Sequence, residues 1–152
     1  MTVTPEQHLG WILARAPRLP SERVPLDEAL GRTLAADAAA QHSLPLWDNS
    51  AMDGYAVRSS DIAGAGPGRP VALRVTGEVA AGSADDPPLA AGEAVRIMTG
   101  APVPTAADAV VAVERTSGET GPGSWAEHRV EIGEAAPAGR NIRRRGEDVG
   151  AG

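Results

Sequence analysis

A chain of 152 residues with a net charge of −6 can bury a hydrophobic core in one domain or two small ones, and it lacks the excess positive charge of a general nucleic-acid-binding protein. All fourteen basic residues are Arg and there is no Cys, which excludes a lysine-dependent phosphate loop, a disulfide framework and a thiolate metal site. No apolar run approaches the roughly 18 residues of a membrane span and no signal peptide is visible, so we expect a soluble, cytoplasmic protein without membrane contact.

The chain opens with a predicted amphipathic helix over residues 4–16. Thr4 suits the N-cap, Pro5 suits the first helical position, and Gln7 completes a Thr-x-x-Gln capping box. A second, short helix with a glycine at its end is predicted within residues 24–31. The apolar residues of the first helix recur at i, i+3, i+4 and i+7 and form one stripe: Leu9, Ile12, Leu13 and Ala16.

From residue 44 onward the pattern becomes that of short β-strands separated by turns. The many Gly (18) and Pro (13) residues favour short strands over long helices. The Gly- and Pro-rich segments, including residues 117–124, are predicted loops. We therefore expect a mainly β fold, bent and compact, rather than a βαβ sheet. Alternating or compact apolar runs predict strands at residues 71–75, 94–98, 109–113 and 129–132.

The first polar cluster, residues 48–56, combines two carboxylates, an amide, a hydroxyl and a glycine. Asp53-Gly54 lies between two extended-looking runs, and glycine readily adopts the positive φ of a type I′ turn. The pattern predicts a β-hairpin with a polar tip, and the alternative is a functional loop that holds a metal or phosphate or takes a proton. An EF-hand is excluded, because Asp53 and Ser59 stand where its loop requires Gly and Glu.

The second polar cluster, residues 96–104, is a strand that runs directly into Thr99-Gly100. At such a turn the Thr99 hydroxyl and nearby backbone N–H groups can meet an anionic ligand. Two prolines hold the following loop extended. The alternative is a plain strand-to-loop corner, and a Walker A loop is excluded because its Gly-Lys-Ser/Thr ending is absent.

The third polar cluster, residues 140–148, contains three consecutive arginines followed by two acidic residues. On a strand, Arg143 and Arg145 would share one face and Arg144 would take the other. Guanidinium groups bind phosphate or carboxylate through paired hydrogen bonds, which favours a phosphorylated ligand. A solvated strand with internal ion pairs is the alternative.

Together the three clusters resemble the MoeA family, the molybdopterin molybdenumtransferases, whose relatives include the E domain of gephyrin. The resemblance depends on the order and spacing of Pro-Leu-Trp-Asp-Asn-Ser-Ala-Met-Asp-Gly-Tyr-Ala at 45–56, Arg-Ile-Met-Thr-Gly-Ala-Pro-Val-Pro at 96–104, and Arg-Arg-Arg-Gly-Glu-Asp at 143–148. It covers nearly the whole chain.

The resemblance implies an enzyme of molybdenum cofactor biosynthesis. Such an enzyme takes adenylylated molybdopterin and molybdate as substrates, inserts the metal and releases AMP, and it requires Mg²⁺ or another divalent cation. Asp53, Thr99 and Asp148 resemble the family's active-site residues. The two aspartates would bind the metal ion or direct the attacking water, and Thr99 would hydrogen-bond an oxyanion or phosphate. Ser50 and Arg144 are candidate cofactor-binding residues, with the Arg144 guanidinium as a phosphate partner.

The resemblance also implies a domain organisation. Residues 45–135 would form an irregular, coiled or bifurcated β domain, and residues 19–44 and 136–152 would form a discontinuous α+β linker domain. The helix in residues 1–18 would pack on a C-terminal pterin-binding domain that the chain does not contain.

In the family the active cleft forms across a homodimer, so this chain would hold half a site and be inactive alone. Molybdopterin adenylyltransferase would be a further partner. The alternative is a stand-alone interaction or dimerisation module that has the same fold without catalysis.

Overall fold

The computed structural model describes residues 3–118 and 120–152. Two residues of the predicted segment 1–18 and one residue of the predicted loop 117–124 therefore lie outside the described residues. Among the described residues, no helix has the length and apolar character needed to cross a membrane.

The first of two compact units, Met1–Ala38, contains helix α1 (Pro5–Arg15). The predicted capping box is confirmed, because the Gln7 N–H donates to Thr4 Oγ1 at 3.3 Å and the Thr4 N–H donates to Gln7 Oε1 at 3.1 Å. The second predicted helix is a single 3₁₀ turn, Leu26–Glu28. Pro25 precedes this turn, and Gly31, which has positive φ, follows it. These two residues limit the helical segment to a single turn.

The second unit, Ala39–Gly152, contains all the described β-strands. The four predicted strands are confirmed as the third, fourth, fifth and eighth strands of this unit. In chain order the strands are β1 Asn49–Ser50, β2 Gly54–Val57, β3 Val71–Val79, β4 Glu93–Ile97, β5 Ala109–Ala112, β6 Thr116–Gly118, β7 Gly121–Pro122, β8 Arg129–Ile132 and β9 Ile142–Arg143. The 3₁₀ turns of this unit are Ser59–Ile62 and Val113–Arg115.

The predicted loop 117–124 is partly wrong, because it contains the short antiparallel pair β6 and β7. Gly121, in β7, and Gly123, directly after it, both have positive φ, a conformation that glycine adopts readily.

Seven strands form one mixed sheet in the order β5-β2-β4-β3-β8-β6-β7, and β1 pairs with β9 separately. β3 and β4 are parallel, while the other described neighbours are antiparallel. A register shift between Val75 and Gly77 bends β3. This curled mixed sheet confirms the mainly β fold class.

The centre of the sheet is buried on both faces. Successive residues of β2 point to opposite sides, so Tyr55 packs in one apolar cluster and Ala56 in the other. The Tyr55 hydroxyl accepts a hydrogen bond from the Ala126 N–H at 2.6 Å, and the Tyr55 ring lies 5.5 Å from that of Trp125. Asp53, directly before β2, is therefore attached to a strand that is fixed from both sides.

The predicted Asp53-Gly54 hairpin is wrong. Gly54 is the first residue of β2 and does not have positive φ, and β1 pairs with β9 instead of β2. A Cβ atom at Gly54 would lie 2.0 Å from the Val111 carbonyl oxygen and 2.9 Å from the Ala112 Cα atom on the adjacent β5. Glycine at this position permits a close approach of two strands rather than a tight turn.

Candidate functional site

The first and second polar clusters meet along one edge of β1. Ser50 exchanges backbone hydrogen bonds with the loop after β4: the Gly100 N–H donates to the Ser50 oxygen at 2.8 Å, and the Ser50 N–H donates to the Ala101 oxygen at 3.0 Å. The Val103 N–H donates to the Asp48 carbonyl oxygen at 3.1 Å. The loop that begins at the Thr-Gly turn is therefore held against β1.

The third polar cluster lies on the other edge of β1. β9 pairs antiparallel with β1, with Asn49 opposite Arg143. Just beyond this pair, the Ala51 N–H donates to the Asn141 oxygen at 2.9 Å. β1 is thus the middle of a three-segment assembly, formed by residues 48–53, 99–103 and 141–148, which brings the three sequence clusters into one place.

Asp53 and Thr99, two of the predicted catalytic residues, are hydrogen-bonded to each other. The Thr99 N–H and the Thr99 hydroxyl both donate to Asp53 Oδ1, each at 2.7 Å. No donor among the residues that the structure describes binds Asp53 Oδ2, and both side chains are exposed. This oxygen is available to accept a proton or bind a cation.

Two other aspartates bind a Ser or Thr in a related way but use both carboxylate oxygens. Asp86 accepts the Thr105 N–H at Oδ1 and the Thr105 hydroxyl at Oδ2, both at 2.8 Å. Asp108 accepts the Ser59 N–H at Oδ1 at 2.6 Å and the hydroxyl at Oδ2 at 2.8 Å. Of these three pairs, only the one at Asp53 leaves one carboxylate oxygen without a hydrogen bond from the described residues. This difference distinguishes Asp53, a candidate functional carboxylate, from the two structural carboxylates of Asp86 and Asp108.

Asp48 connects the first cluster to the third through both of its carboxylate oxygens. The Arg145 N–H donates to Oδ1 at 2.8 Å, and the Arg144 guanidinium donates to Oδ2 at 2.6 Å. Sequence reasoning did not select Asp48 as a site residue, because these partners are 97 and 96 residues away. The one signal in the sequence that could have indicated this contact is the opposite charge of a carboxylate in the first cluster and an arginine run in the third.

Asp148, the third predicted catalytic residue, lies in the turn after β9. The Arg143 guanidinium donates to Asp148 Oδ2 at 2.6 Å. β9 ends at Arg143, so the predicted alternation of the arginines along a strand is wrong. The chain turns after Arg144, whose N–H donates to the Glu147 carboxylate at 2.7 Å. Gly146, which lies between these two residues, has the positive φ that such a turn requires.

The two predicted cofactor-binding residues both have partners within the protein. Ser50 is 1% exposed, and its hydroxyl donates to the Met52 carbonyl oxygen and accepts the Met52 N–H. Arg144 is exposed, and its ion pair with Asp48 uses one of its five N–H donors. As far as the described residues show, four donors on Arg144 remain for an anionic ligand.

The candidate residues lie on an open surface rather than in a cavity. The two cavities found in the second unit, of about 450 and 370 Å³, are not lined by Asp53, Thr99 or Asp148. Within residues 3–118 and 120–152, no three His, Asp or Glu side chains are grouped so that they could hold a metal ion.

Hydrogen bonds lower the pKa values of two carboxyl groups of the three-segment assembly. The backbone N–H and then the hydroxyl of Thr99 lower the pKa of Asp53 below 3.8. The Arg145 N–H and then the Arg144 side chain lower the pKa of Asp48 below 3.8. Because both groups bind protons more weakly in the folded chain, the stability that they add is complete above about pH 4 and is lost as pH falls through the folded pKa values.

We expect acid to destabilise the wild-type chain more steeply than the double variant Asp48→Asn/Asp53→Asn, in which neither group titrates. Urea denaturation at intervals between about pH 5 and pH 2 measures the slope of the unfolding free energy against pH for each protein. Equal slopes in the two proteins would contradict the assigned hydrogen bonds.

Residues 3–152 match the family described as "MoeA N-terminal region (domain I and II)". Over 146 residues the chain is 48% identical to a molybdopterin molybdenumtransferase of Synechococcus elongatus, a match that covers 93% of this chain and 34% of that protein. Over 129 residues it is 53% identical to molybdopterin molybdenumtransferase 2 of Mycobacterium tuberculosis, covering 85% of this chain and 30% of that protein. The chain spans about a third of the length of these curated relatives.

The fold is also similar to that of a solved structure. The molybdopterin biosynthesis MoeA protein from Pyrococcus horikoshii OT3 superposes with a TM-score of 0.71 at 34% sequence identity. That match covers 86% of this chain and 32% of the archaeal one.

Proposed function

Because this chain belongs to the MoeA family and corresponds to its N-terminal region, we propose that it forms the N-terminal part of an enzyme that inserts molybdate into adenylylated molybdopterin with release of AMP. The observation that carries this proposal is the three-segment assembly, in which Asp53 is held by Thr99 with one oxygen free. A rigidly held carboxylate with a free oxygen is suited to bind a cation or to take a proton from water.

Asp53 and Asp148 are the residues that we propose hold the required divalent cation, Mg²⁺ being the first candidate. The donor set fits, because Mg²⁺ is commonly bound by one or two carboxylates and completes its shell with water and substrate phosphates. When bound, the cation would supply charge neutralisation at the phosphoanhydride. Arg144 would bind a phosphate oxygen through the donors that Asp48 leaves free.

Thr99 has a narrower proposed role than direct contact with an oxyanion. A hydroxyl has one proton, and Thr99 donates it to Asp53. Thr99 therefore fixes the direction in which the free Asp53 oxygen points. An oxyanion could receive a hydrogen bond from Thr99 only after the Asp53 contact breaks.

Exposed apolar side chains beside the three-segment assembly support the proposal that this surface is one wall of a larger cleft. The chain spans about a third of its curated relatives, so we propose that a pterin-binding domain and a homodimeric partner supply the opposite wall. In the described part of the second unit, the exposed large apolar residues all lie at residues 44–52 and 149: Leu44, Leu46, Trp47, Met52 and Val149. Such a patch is typical of a surface that is covered in an assembly.

The test is complementation of a bacterial strain that lacks its own molybdopterin molybdenumtransferase. We expect the complete reading frame that encodes this chain to restore the activity of a molybdenum-dependent enzyme, and residues 1–152 alone to fail. Purified protein should release AMP from adenylylated molybdopterin in a reaction that depends on molybdate and Mg²⁺. Failure of the complete frame to restore activity would overturn the proposal.

The apolar patch also supports a second candidate, a stand-alone dimerisation module without catalysis. This candidate requires a stop codon after Gly152 and a stable oligomer of the 152-residue chain in light scattering. A reading frame that continues past Gly152 would eliminate it.

A further inference from the structure

Asp48 is the residue whose side chain joins the first and third clusters. We infer that Asp48 is a positioning residue for the proposed reaction: by binding Arg144 and Arg145 it fixes the turn that carries Asp148 against the segment that carries Asp53. The inference depends on the proposed function, because it assigns a role within that same site.

The contacts of Asp48 are of the kind that fixes relative position. Both carboxylate oxygens are used, one by a backbone N–H at 2.8 Å and one by a guanidinium at 2.6 Å. Its carbonyl oxygen accepts the Val103 N–H, so the residue contacts all three segments of the assembly. A carboxylate held by two charge-assisted or backbone donors has little freedom to rotate.

Asp48 differs from Asp53 in the features that suit Asp53 to bind a cation or take a proton. Neither of its oxygens is uncommitted, unlike Asp53 Oδ2, and its side chain is only 41% exposed. Because both of its oxygens already accept hydrogen bonds, we expect the effect of Asp48 to pass mainly through the residues that it holds. Those are Arg144 and Arg145, which precede Asp148 in the same turn.

Loss of the Asp48 carboxylate leaves the turn with fewer anchors but does not release it. Backbone hydrogen bonds from Gly146 to Pro45 at 3.0 Å and from Asp148 to Leu44 at 3.0 Å remain. We therefore expect Asp48 variants to fold with a displaced Asp148. A displacement of about 1 Å between catalytic groups is enough to reduce a rate roughly 100-fold.

The experiment measures molybdate-dependent AMP release by the complete protein carrying Asp48→Ala, Asp48→Asn or Asp86→Ala. We expect Asp48→Ala to lower kcat by about 10- to 100-fold and to raise the Mg²⁺ concentration for half-maximal rate. Asp48→Asn should show a smaller loss, because an amide oxygen can still accept the Arg145 N–H. Asp86→Ala removes a comparable pair of hydrogen bonds whose partners, Asp86 and Thr105, are not part of the three segments, and it should leave kcat and Mg²⁺ dependence as in the wild type.

The outcomes separate this inference from the proposed function. If Asp53→Ala and Asp148→Ala are inactive while both Asp48 variants have wild-type kcat and Mg²⁺ dependence, the positioning role is wrong and the function stands. The positioning role is also wrong if the Asp48 variants lose stability to the same extent as Asp86→Ala and show no change in Mg²⁺ dependence. If Asp53→Ala and Asp148→Ala remain active, the catalytic assignment itself fails. Asp48→Asn decides the question if Asp48→Ala does not fold.

Discussion

Asp53→Ala in the complete protein is expected to lower kcat for molybdate-dependent AMP release by about 10²- to 10⁴-fold, the range typical of a lost acid–base or cation-binding group. The physical reason is that Asp53 is the carboxylate that keeps one oxygen free while Thr99 holds the other. In a complementation assay the variant should fail to restore molybdenum-dependent activity. Steady-state kinetics with the purified protein provides the measurement.

Asp53→Asn distinguishes the catalytic role of the Asp53 carboxylate from its structural role in binding Thr99. The asparagine oxygen can still accept the Thr99 N–H and hydroxyl, while the free charged oxygen is replaced by an uncharged amide. We expect this variant to be as inactive as Asp53→Ala and more stable than it. Asp86→Asn is the matched control, because Asp86 holds Thr105 through the same two types of donor. Near wild-type kcat for Asp53→Asn would show that the carboxylate is structural.

Gly54→Ala is expected to destabilise the second unit by about 3 kcal/mol or more, the upper range for overpacking a well-packed interior. The added Cβ atom would lie 2.0 Å from the Val111 carbonyl oxygen, and this backbone atom of the paired strand β5 cannot move aside without separating β2 from β5. Because typical domains are stable by only about 5–15 kcal/mol, a large part of the stability would be lost. Chemical denaturation of the 152-residue chain measures the change.

Gly64→Ala is the control for this prediction. Nothing lies within 4 Å of a Cβ atom at Gly64, and its φ is not positive. We expect the unfolding free energy of Gly64→Ala to stay close to that of the wild type. A Gly54→Ala chain that unfolds at the wild-type urea concentration would show that the two strands tolerate a wider separation than the structure has.

The parts of the fold that were predicted correctly are those whose causes are local. The Thr4 and Gln7 capping box lies within four residues, and strands such as β3 and β8 follow from the alternation of their own side chains. The same is true of the polar clusters, each of which is contiguous. The family resemblance then selected Asp53 and Thr99, which the structure places in contact.

The parts that were missed depend on contacts between distant residues. Gly54 follows an aspartate, which is a strong local turn signal, but the reason for glycine lies on β5, at Val111. Asp48 was passed over because its partners are nearly a hundred residues away. Likewise, both Thr99 donors bind the same oxygen of Asp53 because of the direction from which Thr99 contacts it. The spacing of residues in the sequence carries no information on that direction.

The long sequence separations within the three-segment assembly have a consequence for the order of folding. The Asp48–Arg144 contact closes a loop of 96 residues, which is longer than the loop closed by any strand pair of the seven-stranded sheet, so it depends on a chain closure that is entropically costly and slow. We expect the strands of the central sheet to acquire protection against hydrogen exchange before β1 and β9 do. Pulse-labelling during refolding tests this, and protection of β1 ahead of β2 would contradict it. The candidate site would then form last, so a partly folded chain would already have its core while the segments that carry Asp53 and Asp148 were still apart.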